Sequence, residues 1–340
     1  MKILQKFSFY RYLFSYPKAV NLLLNLTSFY ISKWTGRYFV WGSPYSFFIE
    51  PTNHCNLGCT ECPVGTQILK RPQGYMELPK FNQIIDEISS HAWYLLLYFQ
   101  GEPTMNRELV QMVDYSWQKK IYSVISTNGS RLASREFSRS LAASNLGELV
   151  ISLDGATEQT YRIYRRKGMF ERVVKGIEIF LEERNRLNKP FPRVVIQFLV
   201  MRHNEHEITA IKRLGKKLGV DKVVFKSPQI YDFEEAESIL PKNPKFRRYQ
   251  KMEEGYRLKG SYSGYCRKLW IGSVITQDGR VIPCCFDKEG EYSLGEMPQE
   301  NFFKIWRSEK YHGFRRRVVS DRGKIPICRN CSEGLKTFYN

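Results

Sequence analysis

Directly after a short apolar run, the chain reads NHCNLGCTECP, which sets Cys55, Cys59 and Cys62 in a C-x3-C-x2-C pattern. Thiolates are soft ligands, suited to iron–sulfur clusters and to zinc. Three close cysteines can hold three irons of a [4Fe–4S] cube and leave the fourth iron without a protein ligand. An open coordination position is how a metal site binds and activates a ligand instead of only bracing a fold. No fourth local cysteine completes the set; a zinc knuckle using His54 or a distant cysteine is the alternative. A second group, Cys266, Cys284, Cys285, Cys328 and Cys331, lies near the C-terminus. Four of these five can close a second site, with a structural zinc ribbon as the alternative.

The elements that must position these thiols follow a regular alternation. SFFIEPT (46–52), LLLYFQ (95–100), YSVIST (122–127), ELVISLD (148–154), RVVIQFLV (193–200) and DKVVFK (221–226) read as strands. Between them, apolar residues at helical spacing predict helices over 79–92, around Leu109–Trp117, and over 134–143, 170–187 and 205–218. Six strands alternating with helices predict a parallel α/β sheet, either open and doubly wound or curled into an incomplete barrel. In both, chemistry sits at the C-terminal ends of the strands, where the first thiol group falls. From 228 to about 260 the text turns charged and turn-rich, which reads as a boundary. The last part forms a small cysteine-bearing appendage, with a hairpin around Gln277-Asp278-Gly279 and a short helix over 302–307.

Composition narrows the class. In 340 residues there are 53 Lys+Arg, 34 Asp+Glu and 8 Cys, with a formal net charge of +19. This excludes a collagen-like chain, a coiled coil, a disordered tail and a disulfide scaffold. Residues 1–49 carry Lys2, Lys6, Arg11, Lys18, Lys33 and Arg37 and no acid. Such a surplus favours anionic partners, namely nucleic acid, an anionic membrane surface or an acidic substrate; the alternative is a solvated basic face. Neither the first 20 residues nor the run AVNLLLNLTSFYI offers the ~20 apolar residues of a membrane span. The segment is expected to pack as helices on the main domain, with an anionic membrane surface as the alternative. The expected location is the cytoplasm, with peripheral membrane association as the alternative. In a reducing compartment cysteines serve as metal ligands or catalytic groups.

The cysteine motif after the first strand resembles the radical S-adenosylmethionine (SAM) superfamily. Further elements agree in order along the chain. Gln100-Gly101-Glu102-Pro103 resembles the family's GGEP element, with Gln100 in place of the first glycine. Ser126-Thr127-Asn128-Gly129 and Ser152-Leu153-Asp154-Gly155 end the next two strands, and Arg165 follows, with Arg166 as the fallback. The resemblance implies a partial (β/α)6 TIM-like barrel. It implies that Cys55, Cys59 and Cys62 bind a [4Fe–4S] cluster. It also implies that Gly101, Glu102, Ser126, Asn128, Ser152, Asp154 and Arg165 contact SAM, Glu102 at its amino group and Arg165 at its carboxylate. Glu61 stands where relatives often place an aromatic or apolar side chain near adenine, so no adenine contact is carried over from this loop.

The C-terminal cysteines resemble SPASM/Twitch appendages, in the shorter, single-cluster version. That resemblance implies a second, auxiliary [4Fe–4S] cluster on Cys266, Cys284, Cys328 and Cys331, leaving Cys285 spare. The domains expected are an N-terminal helical extension (1–45), a radical SAM core (46–230), a linker (231–262) and the auxiliary domain (263–340). The implied function is reductive cleavage of SAM to a 5′-deoxyadenosyl radical that abstracts a substrate hydrogen. The substrate expected is a small polyol, a sugar or a peptide, oxidised or matured, with a reductant such as flavodoxin or ferredoxin. Modification of RNA or lipid is the alternative, and a non-enzymatic zinc or nucleic-acid-binding protein is a third reading.

Overall fold

Short β-rich runs separated by amphipathic helices leave the sheet both faces to bury, and the chain solves this by winding helices around one face and curling the other inward. The computed structural model describes residues 2–231, 233–260 and 265–333. The N-terminal segment forms α1 (Lys2–Leu13) and α2 (Tyr16–Thr35). The alternating body follows: β1 (Ser46–Ile49), α3 (Leu78–Ile88), β2 (Tyr94–Leu96), α4 (Leu109–Gln118), β3 (Tyr122–Thr127), α5 (Arg135–Ala143) and β4 (Glu148–Ser152). It continues through α6 (Glu158–Tyr164), α7 (Phe170–Arg186), β5 (Arg193–Leu199), α8 (Ile208–Leu218) and β6 (Lys222–Lys226). The six strands are parallel and adjacent in chain order. Lys226, at the end of β6, lies within electrostatic reach of Lys268 and Cys285 beyond the far side of β1. The sheet therefore curls, giving the partial (β/α)6 barrel and settling the choice between barrel and open sheet.

The inner face is filled from below by α1. Leu13 is buried with Tyr122 and Val124, and Phe9 stacks on Phe191 at 4.0 Å and against Trp117 at 4.4 Å. Tyr94 and Tyr122 open β2 and β3, so α1 closes the end of the barrel where strands begin. Lys18, at the start of α2, is buried and donates to the Lys119 and Lys120 carbonyls at 3.3 and 2.8 Å, capping the end of α4. Burial pushes its ammonium down to about 8.

The stretch expected as a linker is structured. It holds α9 (Ala236–Ile239) and an antiparallel pair, β7 (Tyr249–Lys251) and β8 (Tyr256–Leu258). Ile230, Ala236, Leu240, Tyr249 and Leu258 form a small core of their own. Its turn-rich text was a hairpin's signature, obscured by its charge. The expected boundaries at 262, 263 and 340 lie outside the described residues.

The C-terminal part holds α10 (Lys268–Ile271), β9 (Gly272–Ile275), β10 (Arg280–Ile282), β11 (Gly295–Glu296), α11 (Phe302–Trp306), α12 (Glu309–Asp321) and α13 (Pro326–Arg329). The expected hairpin is present as β9–β10, but it is no detached appendage. β9 pairs in parallel with β1 from Ser46↔Gly272 to Ile49↔Ile275, so one sheet runs β11-β10-β9-β1-β2-β3-β4-β5-β6. The otherwise open edge of β1 is thereby paired.

Just past β1, Glu50 ties these parts together. Its carboxylate is fully buried and takes Arg71 in a two-point pair at 2.7 and 2.9 Å. It also accepts from the Gln100 amide at 3.2 Å and the Gln277 amide at 3.0 Å. Removing one partner of such a pair strands a buried charge. Glu50→Ala and Arg71→Ala should each lower the unfolding free energy by about 3–5 kcal/mol in chemical denaturation, with the double variant well short of the sum.

Candidate metal centres

The first thiol group occupies the loop that leaves β1. Both ends of that loop are fastened. Thr52 Oγ1 donates to the Gly74 carbonyl at 2.7 Å, Asn53 Nδ2 to the Pro72 carbonyl at 2.9 Å, and the Gly74 amide to Asn53 Oδ1 at 2.9 Å. Within it, Cys55, Cys59 and Cys62 join Leu57, Tyr164, Met201 and Leu199 in one apolar nest. Burial pushes the Cys55 thiol up to about 12 and the Cys59 thiol above its usual range. His54 is turned elsewhere, with its ring stacked on Tyr75 at 4.6 Å.

The neighbouring strand ends face this loop. Gly101 has φ +72°, and a Cβ there would stand 2.6 Å from the His54 carbonyl oxygen. Only glycine fits that conformation and approach. The next amide, that of Glu102, donates to the same carbonyl at 2.7 Å. The Glu102 carboxylate is buried: Oε1 accepts from Thr104 N, Thr104 Oγ1 and Thr127 Oγ1, and Oε2 from the Asn128 amide at 2.7 Å. Asn128 Nδ2 donates to Asn56 Oδ1 at 2.8 Å, joining the end of β3 to the cysteine loop. Ser126 and Ser152 sit at the ends of β3 and β4, and their hydroxyls make no hydrogen bond among the described residues.

Asp154 and Arg165 form the site's ion pair. Both Nε and Nη2 of Arg165 reach Asp154 Oδ2 at 2.6 Å, and Asp154 Oδ1 accepts from the Leu199 amide. Arg165 Nη1 lies 3.6 Å from Cys59 Sγ, and its guanidinium stands over the Tyr164 ring at 5.2 Å. Burial would lower its pKa, but Asp154 and Cys59 outweigh that, so the net shift is well upward. Arg166 is exposed and contributes only its carbonyl, which accepts from Gly58 N at 3.0 Å.

The second thiol group lies among α10, the β9–β10 hairpin and α13. Burial pushes Cys266 up to about 12, Cys328 to about 11, and Cys284 and Cys331 upward. Arg322 Nη2 donates to Cys331 Sγ at 3.2 Å and feels Cys266 and Cys328 as well. Cys284 is within electrostatic reach of Cys285, Cys266 and Cys331, and Cys285 is within reach of Cys331 as well, with its Sγ 3.8 Å from Lys268 Nζ. Lys268 also pairs with Glu333 at 3.3 Å.

Among the described residues, no three His, Cys, Asp or Glu donors are gathered closely enough for a single metal ion. The test of fit is therefore donor chemistry. Each group offers soft sulfur donors in an apolar, buried setting with one guanidinium against a thiol, which suits thiolates bound to iron better than free thiolates. The unpartnered Ser126 and Ser152 hydroxyls, with Glu102 and Arg165, suit a polar ligand with both amino and carboxylate groups. The motif reading gave no role to Arg322, Thr127, Asn56, Asn204 or Lys288. Asn204 Nδ2 donates to the Asp154 and Leu199 carbonyls at 3.0 and 2.9 Å. Lys288, which burial pushes down to about 8, faces Cys62. Arg322, Asn204 and Lys288 sit in ordinary polar or charged text with no spacing to mark them, whereas Thr127 and Asn56 lie inside the quoted motifs and were given no role there.

Comparison with known proteins identifies the family and the fold. Residues 49–215 match the radical SAM superfamily, and residues 266–332 match SPASM, an iron–sulfur cluster-binding domain. An AdoMet-dependent heme synthase of Methanosarcina barkeri is 26% identical, over 82% of this chain and 86% of that protein. A mycofactocin maturase, MftC, of Mycobacterium ulcerans is 30% identical over 52% of this chain and 46% of its own. In fold, Streptococcus suis SuiB bound to S-adenosylmethionine aligns with TM-score 0.63 at 15% identity, over 87% of this chain and 73% of that one. BtrN in complex with AdoMet and 2-DOIA aligns with TM-score 0.52 at 17% identity, over 87% and 96%.

The approach at Gly101 gives a direct check. Gly101→Ala should push the cysteine loop off the end of β2. Anaerobically reconstituted G101A should hold markedly less iron than the unaltered chain, with helix content unchanged by circular dichroism.

Proposed function

The chain belongs to the radical SAM superfamily and ends in a SPASM domain, so it is an enzyme that uses SAM, a [4Fe–4S] cluster and auxiliary iron–sulfur binding; on that premise we propose that it oxidises or matures a small polyol, a sugar or a peptide. The observation that carries this reading is the convergence of three thiols, Glu102 and the Arg165–Asp154 pair at one end of the barrel. When bound, the cluster and SAM supply a 5′-deoxyadenosyl radical that takes a hydrogen atom from the substrate.

The chain's own residues bind and orient. Cys55, Cys59 and Cys62 are the cluster ligands in this reading, and Leu57, Tyr164 and Met201 keep water from them. Glu102 Oε2, which has a single donor, is the oxygen left to accept from the SAM amino group. Arg165, oriented by Asp154, meets the SAM carboxylate. Ser126, Ser152 and Asn128 offer polar contacts to the ribose and carboxylate, and Gly101 lets the loops close.

Cys266, Cys284, Cys328 and Cys331 are the auxiliary ligands. Four thiolates leave no open position for substrate, so the second site is suited to taking up an electron, as a net two-electron oxidation requires. The domain limits we propose are those expected above, with the described residues 233–260 between the two domains folded. The relatives named heme synthase and maturase support a small-molecule or peptide substrate.

Beside the cysteine loop lies a cavity of about 260 Å³, lined by Asn56, Leu57, Arg131, Lys167 and Arg172 among others. Its basic rim suits an acidic electron carrier such as flavodoxin or ferredoxin.

Anaerobic iron and sulfide analysis should give about eight irons per chain. Cys55→Ala should abolish 5′-deoxyadenosine formation. Cys328→Ala should keep part of it while product formation falls further; 5′-deoxyadenosine from C55A would overturn the ligand assignment. Lys167→Glu with Arg172→Glu should slow turnover driven by reduced flavodoxin by about tenfold at low salt and leave dithionite-driven turnover unchanged.

A further inference from the structure

Helix α2 is built inside out. Its polar side chains Asn21, Asn25, Ser28 and Ser32 are buried against the domain, with Phe29 the one large apolar residue buried beside them. Asn21 and Asn25 each donate to the Ser43 carbonyl at 3.0 Å, the Ser43 amide donates back to Asn21 Oδ1 at 2.8 Å, and Asn25 also reaches the Trp270 carbonyl. The Phe39 amide donates to Ser32 Oγ at 2.9 Å. The opposite face carries Tyr16, Val20, Leu23, Leu24, Tyr30 and Trp34 at helical spacing, all exposed, Leu23 by 65% and Trp34 by 87%. An exposed apolar stripe of this kind, interrupted by the half-buried Thr27, marks an interaction surface.

Charge and aromatic placement identify the partner. The first 49 residues hold six basic residues and no acid. Lys33 and Arg37 are exposed at the C-terminal end of the stripe, and Lys6 and Arg11 on α1. Tyr and Trp at the ends of an apolar stripe with cations beside it are the features of a helix lying in a headgroup layer. No helix among the described residues is long and apolar enough to cross a membrane.

We propose that α2 docks this enzyme on an anionic lipid bilayer, with Leu23 and Trp34 inserted and Lys33 and Arg37 on the headgroups. The helix packs where strands begin: Lys18 caps α4 ahead of β3, and Asn25 holds Ser43 ahead of β1. The thiol loop lies at the opposite ends of the strands, so the docked enzyme turns its chemistry away from the bilayer. The surface is an anchor and does not rest on the reaction proposed above.

The test is co-sedimentation of the full chain with vesicles of phosphatidylcholine, alone or mixed with phosphatidylglycerol. Binding to the mixed vesicles, weakened by salt and about tenfold lower for Leu23→Ser with Trp34→Ser, is the expected result. Both positions are exposed, so the variant should keep its unfolding midpoint and its SAM cleavage. No binding by the unaltered chain, or equal binding by the variant, overturns the proposal. So does a solution dimer that the variant converts to monomer, which would give the face to a second copy. Salt-sensitive binding to RNA that is lost in the variant, without vesicle binding, also overturns it.

Discussion

Glu50 is the constraint on which the remaining geometry depends. One buried carboxylate receives the guanidinium that follows the cysteine loop, the amide that opens the β2 turn and the amide that begins the C-terminal hairpin turn. Arg71 passes the link on, donating through Nε to the Lys288 carbonyl at 2.7 Å and standing over Phe99. The cysteine loop, the strand end beside it and the auxiliary region thus share one charge. A buried ion pair gives little net stability over an apolar core, because desolvation offsets the attraction. Its value here is positional: four segments distant in sequence must agree on one location before the carboxylate is satisfied.

The two thiol groups repeat a design in which burial disfavours the free thiolate and a guanidinium favours the ligated one. Arg165 stands against Cys59, oriented by Asp154; Arg322 stands against Cys331, oriented by the Glu333 carbonyl at 2.7 Å. With thiols pushed upward by desolvation, an empty site stays protonated and less nucleophilic, and metal binding is what releases the protons. On the ligand set proposed above, the apolar nest that raises Cys55 would also shield the cluster from water. Stability of the loop and chemistry of the loop therefore draw on the same residues, Leu57, Tyr164 and Met201.

How far the sequence disclosed this follows from how each feature is encoded. Strands β1 to β6 were legible because each is a short apolar run closed by a turn, and the sheet order follows from the alternation. The thiols, Glu102 and Asp154 were legible because they sit in fixed-spacing motifs at strand ends. Glu50 and Arg71 were not, since their meaning arises only when segments separated by 21 to 227 positions meet; Arg322 was not, since no motif ties it to Cys331, nine positions on. The pairing of β9 with β1 was hidden for the same reason, and the β7–β8 hairpin was masked by charged text that resembles a linker. α2 was harder still. Periodicity reports that a helix has two faces, but not which one is buried, and here hydrogen bonds to Ser43 and Trp270 hold the polar face inward against the usual preference.

The surplus of positive charge is partly structural. Lys18, Arg71, Arg165, Arg315 and Arg322 are spent on carbonyls, carboxylates, thiols and rings inside the fold; Arg315 is fully buried, with its guanidinium 3.7 Å from the Trp306 ring centroid and 3.8 Å from that of Tyr311. The formal +19 also counts every cysteine as neutral. On the ligand sets proposed above, seven thiolates around two cluster cores of charge about +2 each would lower the total by about three with both sites loaded. That correction falls within the barrel mouth and the auxiliary region, and none of it reaches α1 or α2. The acid-free N-terminal segment therefore keeps its charge whatever the metal state, and cluster loading cannot be what its exposed cations answer.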